Sequence, residues 1–282
     1  MAELLKGAPV ARALTEELGV RVAALLARGV TPGLAILRVG ERPDDLSYER
    51  AALKRCEKVG IAVRRVALPA DCAQAELERA IRDVNADPAV HGCLMFRPLP
   101  ASLDERAACA ALDVAKDVDG VTAGSLAGVF AGEPVGFPPC TAEAVLQLLR
   151  HHGVALDGAD VVVVGRSLVI GRPVSMLLQA ANATVTMCHT HTRDLAAKCA
   201  AADVVVVAAG HAGTFGARCA RPGQVVVDVG INRVDGKVVG DVDFDSVEKV
   251  AGYISPVPGG VGKMTICMLM ENVIEAAERK GC

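Results

Sequence analysis

Residues 161–171 read Val161-Val162-Val163-Val164-Gly165-Arg166-Ser167-Leu168-Val169-Ile170-Gly171. The four valines read as a strand buried on both faces, as strands of parallel sheets are. Gly165 lets the chain turn sharply, and Gly171 opens a helix at a point where backbone can approach a ligand. The N-terminus of that helix offers unpaired N–H groups and a positive dipole end, which suit a pyrophosphate. The standard dinucleotide fingerprint is G-x-G-x-x-G, whereas here Ser167 stands at the middle glycine and the spacing is one residue longer. A plain β-turn-α connection would also use glycines, so the surrounding pattern has to decide.

Downstream the alternation continues: a helix over 171–181, a strand over 184–188, a helix over 193–201, then strands over 204–208 and 224–229. Upstream, a helix over 8–28 ends at Gly29, and a strand follows at 33–39. A helix over 44–59 closed by Gly60, a strand over 61–68, a helix over 74–85 and a strand over 90–96 complete a β-α-β-α-β rhythm. Such a rhythm predicts parallel strands joined by right-handed crossovers. Residues 113–139 break it, being rich in Gly and Pro and poor in periodicity, and are expected to form a functional or interdomain loop. A helix over 141–152, a Gly/Pro loop over 252–262 and a final helix over 264–280 close the chain. The expected fold is α/β, with two doubly wound domains joined near residue 140.

Composition agrees and excludes other classes. A chain of 282 residues is long for one core. Aromatic residues are 2% with no Trp, so core volume must come from Val, Leu, Ala, Ile and Met. The net charge of −3 gives no reason to expect nucleic acid or an anionic membrane as partner. Ten cysteines lie scattered with no C-x-x-C pair and no signal sequence, which reads as reduced thiols of a cytoplasmic protein. Cys188-His189-Thr190-His191 alternates along a strand end and sends its side chains to opposite faces, so no metal site is expected. No apolar run reaches membrane-spanning length.

An NAD site usually has Asp or Glu at the end of the second strand, holding the ribose 2′-hydroxyl. Here the chain reads Cys188-His189-Thr190-His191-Thr192-Arg193, and the first acid is Asp194. Arg166 can reach the same region. Basic and hydroxyl side chains favour a 2′-phosphate, so NADP is expected, with NAD as the alternative.

Several motifs then occur together: Gly165-Arg166-Ser167, 182–186, Cys188-His189, Pro98-Leu99-Pro100, 116–120, Pro139-Cys140-Thr141, 240–244 and 256–262. Their order and spacing resemble the methylenetetrahydrofolate dehydrogenase/cyclohydrolase family from about Val39 to the last helix. The resemblance implies a cytoplasmic homodimer, each subunit with a folate-binding catalytic domain (1–140 with the helix 264–282) and a Rossmann NAD(P)-binding domain (141–263). It implies a folate cleft between the two, and hydride transfer from 5,10-methylenetetrahydrofolate to nicotinamide C4. The product is the 5,10-methenyl cation, which most members hydrolyse to 10-formyltetrahydrofolate. Tyr48 and Asp119 are implied as catalytic-site residues, with Pro98, Leu99, Pro258, Gly259 and Gly260 also against the substrate. Gly165, Arg166, Ser167, Gly171, Thr190, Gly210 and Ile231 are implied around the cofactor. In chemical terms, the Tyr48 ring can stack on a pterin or aryl group. Asp119 can accept hydrogen bonds from pterin amino and ring N–H groups.

The chain also departs from the family pattern. A Lys central to the cyclohydrolase step normally follows the Tyr at the fourth position; here that residue is Ala52. The intervals Gly40 to Tyr48 and Tyr48 to Gly60 keep the family spacing, so no alignment slip rescues it. Lys54 is two positions on, a rotation of roughly 200° on a helix. Phe96 stands where the family usually has a Gln that supports the Lys, and Asp45 replaces a small hydroxyl residue. The expectation is a dehydrogenase with weak or absent cyclohydrolase activity. The alternatives are a full bifunctional enzyme, with Lys54, Arg55 or Arg97 supplying the cation, and a non-catalytic folate- or nucleotide-binding protein.

Overall fold

The structure is a computed structural model that describes residues 1–280. Its strands are β1 (Glu3–Leu4), β2 (Gly33–Val39), β3 (Ala62–Leu68), β4 (Gly92–Met95), β5 (Asp160–Val164), β6 (Thr184–Cys188), β7 (Val204–Val207), β8 (Val225–Asp228), β9 (Asn232–Val234), β10 (Lys237–Val239) and β11 (Tyr253–Ile254). The helices are α1 (Gly7–Ala27), α2 (Pro43–Val59), α3 (Gln74–Ala86), α4 (Glu105–Ala111), α5 (Ala123–Ala131), α6 (Cys140–His151), α7 (Gly171–Ala180), α8 (Leu195–Ala201), α9 (Phe244–Val247) and α10 (Thr265–Lys280). The chain divides into two compact units: Met1–Arg12 with Thr141–Thr265, and Ala13–Cys140 with the stretch from Ile266 onward.

The unit built on 13–140 carries a parallel sheet in the order β3-β2-β4. All seven residues of β2 are buried, because it is the central strand and is covered on both faces. Ala35, Leu37 and Val39 pack with Leu77, Ile81 and Val84 of α3 and with Leu103, Ala108 and Leu112 around α4. Helix α2 begins with Pro43 at its first turn and acids Asp44 and Asp45, which suit the positive end of the dipole. Gly60 ends it in the left-handed conformation, donating to the Cys56 carbonyl at 2.8 Å. Its buried positions are Asp45, Glu49, Ala52, Cys56 and Val59, so Ala52 lies on the inward stripe.

The other unit carries a six-stranded parallel sheet, β1-β11-β8-β7-β5-β6. The valine runs of β5, β7 and β8 are almost wholly buried, as their uninterrupted apolar sequence predicts. The first residues of the chain join this sheet: Glu3 and Leu4 pair with Tyr253 and Ile254. This differs from the expected division at residue 140, which placed the first residues with the folate-binding part. A two-residue strand is too short to show a period in sequence.

The expected loop over 113–139 also needs correction. Within it α5 forms, capped by the Thr122 hydroxyl, which accepts from the Ser125 amide, and ended by Gly132. Its Ala- and Gly-rich sequence is too small and uniform to show an amphipathic stripe. Helix α4, the hairpin β9–β10, strand β11 and helix α9 are short elements that the sequence pattern likewise did not separate. Among the described residues no helix is long and apolar enough to cross a membrane.

Candidate active site

In the six-stranded sheet the chain order reverses between β5 and β7, and open parallel sheets bind ligands beyond the strand ends at such a point. Gly165 leaves β5 with φ of 141° and donates to the Cys188 carbonyl at 2.9 Å. A Cβ there would collide with the Ala208 carbonyl oxygen beyond β7. At Gly171 a Cβ would run into the Gly165 carbonyl and the Arg166 amide nitrogen. Both glycines are therefore required by close packing of the turn on itself and on the next strand. Ser167 takes a different part from the glycine it replaces. Its hydroxyl accepts from Ile170 N at 3.1 Å and Gly171 N at 3.4 Å, capping the approach to α7. Arg166 is exposed at the turn.

After β6 the chain folds into a tight turn. The Thr192 hydroxyl accepts from His189 N at 2.8 Å, and His189 Nδ1 accepts from His191 N at 3.1 Å. Thr190, His191 and Arg193 are exposed on it. Asp194 sits at φ of 52° and caps α8, accepting from Ala197 N at 3.3 Å. The first acid after β6 is thus engaged in its own helix, and the turn before it carries only neutral and basic side chains. Such a turn suits a phosphate.

Gly210 lies beyond β7 and donates to Asp241 Oδ2 at 2.8 Å, while Asn232 Nδ2 donates to Oδ1 of the same carboxylate at 2.8 Å. Asp228 accepts from Gly230 N, Asp241 N and Val242 N at 2.9–3.0 Å. Burial pushes the Asp228 carboxyl up to about 6, with those three donors pulling against it. These two buried acids frame the loops that carry Gly210 and the exposed Ile231. The loop with Pro258, Gly259 and Gly260 belongs to this same unit. Gly259 accepts from the Gly7 amide at 2.9 Å, and Gly7 packs on Gly260 with no room for a side chain.

In the unit built on 13–140, the loop around Asp119 is fixed by its neighbours. Asp117 is fully buried and accepts from Val121 N at 2.9 Å, Thr122 N at 2.7 Å and the Ser125 hydroxyl at 2.6 Å. Lys116 Nζ donates to the carbonyls of Val84 and Asp87 at 2.8 and 2.7 Å. Gly120 has φ of 65° and packs against the backbone of 137–139. Asp119, half-buried, is left to interact through its carboxylate. Desolvation pushes it up to about 6, opposed by a hydrogen bond from Cys140 and the charge of Arg97, while Asp117 adds to the push. The Cys140 thiol also lies 3.3 Å from the Val118 carbonyl, which Asn272 of α10 bonds at 2.9 Å. Cys140 therefore joins the site through Asp119. It stands within a quoted motif, yet sequence alone assigned it no role.

Tyr48, half-buried on α2, meets Phe96 edge to face, with ring centroids 5.8 Å apart. Ala52 has no exposed surface. Lys54 is exposed, and Arg55 donates to the Thr15 hydroxyl at 3.0 Å and the Cys267 sulfur at 3.3 Å. Asp45 is held by Arg42 through two contacts of 2.8 Å. Arg97 stays half-buried beside Glu105, at 3.6 Å. The expected substrate residues Tyr48, Pro98, Leu99 and Asp119 fall in this unit, and Pro258, Gly259 and Gly260 fall in the other. Among the described residues no group of three or more His, Cys, Asp or Glu could hold a metal ion.

A doubly wound parallel sheet with a glycine turn at its switch point is the architecture of dinucleotide-dependent oxidoreductases. Residues 139–281 match the NAD(P)-binding domain of tetrahydrofolate dehydrogenase/cyclohydrolase, and residues 5–119 match the catalytic domain of the same family. The chain is 48% identical over 281 residues to the bifunctional protein FolD of Carboxydothermus hydrogenoformans, covering 99% of this chain and 98% of that protein. It resembles the crystal structure of the bifunctional FolD dehydrogenase/cyclohydrolase from Campylobacter jejuni with a TM-score of 0.96 and 38% identity, covering 99% of this chain and all of that one. The Trypanosoma brucei dehydrogenase-cyclohydrolase, solved with NADP cofactor and inhibitor, matches with a TM-score of 0.92 and 37% identity, covering 99% and 98% of the two chains. The chain belongs to the tetrahydrofolate dehydrogenase/cyclohydrolase family.

Proposed function

We propose that this protein oxidises 5,10-methylenetetrahydrofolate to 5,10-methenyltetrahydrofolate with NADP, and hydrolyses the product weakly or not at all. The observation that carries the second half is the pair Ala52 and Phe96. The position of the family Lys is a fully buried methyl group, and the position of its supporting Gln is an aromatic ring against Tyr48.

In this reading Gly165, Arg166, Ser167, Gly171, Thr190, Gly210 and Ile231 hold NADP, which when bound supplies the hydride acceptor. What supports this is the turn itself: Gly165 and Gly171 let it close tightly on Ala208 and on its own backbone, which leaves the N-terminal end of α7 open to a phosphate. Arg166 and the turn after β6 bind the 2′-phosphate. Tyr48 lays its ring on the pterin or aryl group, and Asp119, ionised, accepts from the pterin amino and ring N–H groups. Pro98 and Leu99, and Pro258, Gly259 and Gly260, are further residues assigned to the substrate. Oxidation asks these residues chiefly for alignment, which they retain. Hydrolysis asks also for a polarised water and a group to take its proton, and Ala52 supplies neither. The relatives named FolD are called bifunctional; in this reading the present chain keeps one half of that chemistry.

The full bifunctional reading keeps one route. Lys54 is exposed and Arg55 is engaged elsewhere, which leaves Arg97 as the cation. A guanidinium stays protonated at any working pH, so it can polarise water but cannot act as base. The folate-binding domain is assigned to 1–140 with the helix from 264 and the nucleotide-binding domain to 141–263. The latter also lends Pro258, Gly259 and Gly260 to the substrate, although the first residues of the chain pack with the nucleotide-binding unit. The subunit is assigned to a cytoplasmic homodimer, which light scattering of the purified protein tests. An absorbance assay of methenyl formation with NADP and NAD in parallel tests the oxidation. A chase of the product tests hydrolysis.

A further inference from the structure

Two consecutive residues of the central strand β2 are tied to the two rings of the Tyr48–Phe96 contact. The Leu37 carbonyl accepts from Phe96 N at 2.9 Å. Arg38, next along the strand, points to the opposite face of the sheet and donates from Nε to Glu49 Oε2 at 2.9 Å. Glu49 directly follows Tyr48 on α2. The same guanidinium donates from Nη1 to the Gly40 carbonyl, in the connection that leads from β2 to α2. Arg65 of β3 donates to the other Glu49 oxygen at 2.5 Å. The side chains of Arg38 and Glu49 are only 8% and 4% exposed, so their pair is a buried one, while Arg65 reaches solvent.

Stability alone does not account for such a pair. Desolvating two charges costs about as much as their attraction returns, and apolar residues of like volume often serve stability as well or better. What a buried ion pair does supply is register, because only one arrangement satisfies both partners. Here the carboxylate lies on the inward stripe of α2 that also carries Ala52, and each of its oxygens has its own guanidinium partner. A rotation or slide of α2 that moved the Tyr48 ring would break these bonds. We propose that Arg38 and Glu49 are positioning residues for folate recognition, fixing the register of α2 on β2 so that Tyr48 meets the substrate at a set angle. The proposal rests on the folate reading above and adds to it how Tyr48 is held. With both oxygens engaged, Glu49 orients the helix and does not supply the base that hydrolysis needs.

The test uses the full chain below the melting transition of every variant, with NADP saturating and 5,10-methylenetetrahydrofolate varied. Arg38→Lys keeps the charge but loses the rigid fork that reaches Glu49 and Gly40 together. Arg38→Met combined with Glu49→Leu removes both charges at similar volume, so it should melt near or above the wild-type temperature. In both proteins we expect the folate KM to rise about tenfold, with the KM for NADP changed little. The chain has two tyrosines and no Trp, so in a Tyr253→Phe background the tyrosine band of near-ultraviolet circular dichroism reports Tyr48 alone. That band should weaken in both variants. A stable double variant with the wild-type folate KM and an unchanged Tyr48 band overturns the proposal, because the pair would then serve stability only. Should the double variant fail to fold, a wild-type folate KM in Arg38→Lys overturns it instead. Wild-type turnover with insensitive variants removes only this positioning role, whereas absence of wild-type turnover removes the folate reading and the proposal together.

Discussion

Phe96 presses on the ring of Tyr48 edge to face, the two planes 85° apart and the centroids separated by 5.8 Å. The family resemblance implies a Gln at position 96 supporting a Lys at position 52; here position 96 is an aromatic wall and residue 52 a buried methyl. The two changes match each other. A Gln without its Lys would leave a polar amide in need of partners, at a cost of about 1–3 kcal/mol.

Restoring one member alone should therefore fail. Ala52→Lys places an ammonium on the buried stripe of α2 beside a dry aromatic contact, and should destabilise the protein by on the order of a few kcal/mol. The pair Ala52→Lys with Phe96→Gln should recover stability relative to the single change and gain methenyl hydrolysis by about tenfold or more. Thermal melts and the hydrolysis rate of both variants check this, and equal rates in the single and double variants would count against it.

If Asp119 binds the pterin as proposed, substrate capture is sensitive to pH. Burial lifts its carboxyl from the ordinary 3.8 to about 6, so the folded protein favours the protonated form more than the unfolded chain does. Its contribution to stability is full below the unfolded value and is lost as pH rises through about 6. Capture of pterin N–H groups needs the ionised form. We expect kcat/KM for folate to fall as pH drops below about 6 and to level off above it. Asp119→Asn should lower the plateau and abolish that limb; a limb that survives the substitution belongs to another group.

The glycine turn makes a prediction about the cofactor alone. Gly165→Ala forces a methyl group into the Ala208 carbonyl, at a φ of 141° that L-residues avoid. The variant should lose at least about 1–3 kcal/mol of stability, and NADP affinity should fall about tenfold or more. Titration with NADPH, whose reduced nicotinamide fluoresces, against the folded variant reads the second effect. Unaltered affinity would show that the turn does not form the cofactor cradle.

Asp241 supports the same site from behind. With its acceptors for Gly210 N and Asn232 Nδ2 removed, Asp241→Ala should loosen the Gly210 loop and raise the NADP KM more than the folate KM. Asp228→Asn should flatten the part of the melting-temperature profile that otherwise falls between about pH 4 and 6, since the raised Asp228 carboxyl loses stability over that window. A pH series of melts on both proteins separates the two effects.

Sequence and structure agree where the pattern is long and periodic. Strands β2, β5 and β6 fall where their apolar runs place them, and α2 ends at the glycine that marks it. The valines at 161–164 lie beside those at 204–207, and the turn at Gly165 depends on that neighbour. Short elements escaped because two or three residues carry no period: β1 shows its place only through Tyr253 and Ile254, some 250 residues on. The long Gly/Pro stretch concealed α5, whose small residues suit helix and loop alike. Within the candidate site, Tyr48 and Asp119 are assigned through motifs. The bond from Cys140 to Asp119 and the unpartnered nitrogen of Arg97 were not, since each depends on residues distant in sequence meeting in space. Ala52 was legible as an absence, and the structure adds that it is buried while Lys54 is exposed and Arg55 is bonded to Thr15 and Cys267.

One measurement bears most directly on the central claim. Purified protein with NADP and 5,10-methylenetetrahydrofolate should accumulate the methenyl product, and after removal of NADP that product should decay at the rate seen in buffer alone. Decay well above the buffer rate and proportional to enzyme concentration would contradict the account, and would mean that the chemistry lost with the lysine is supplied by another group.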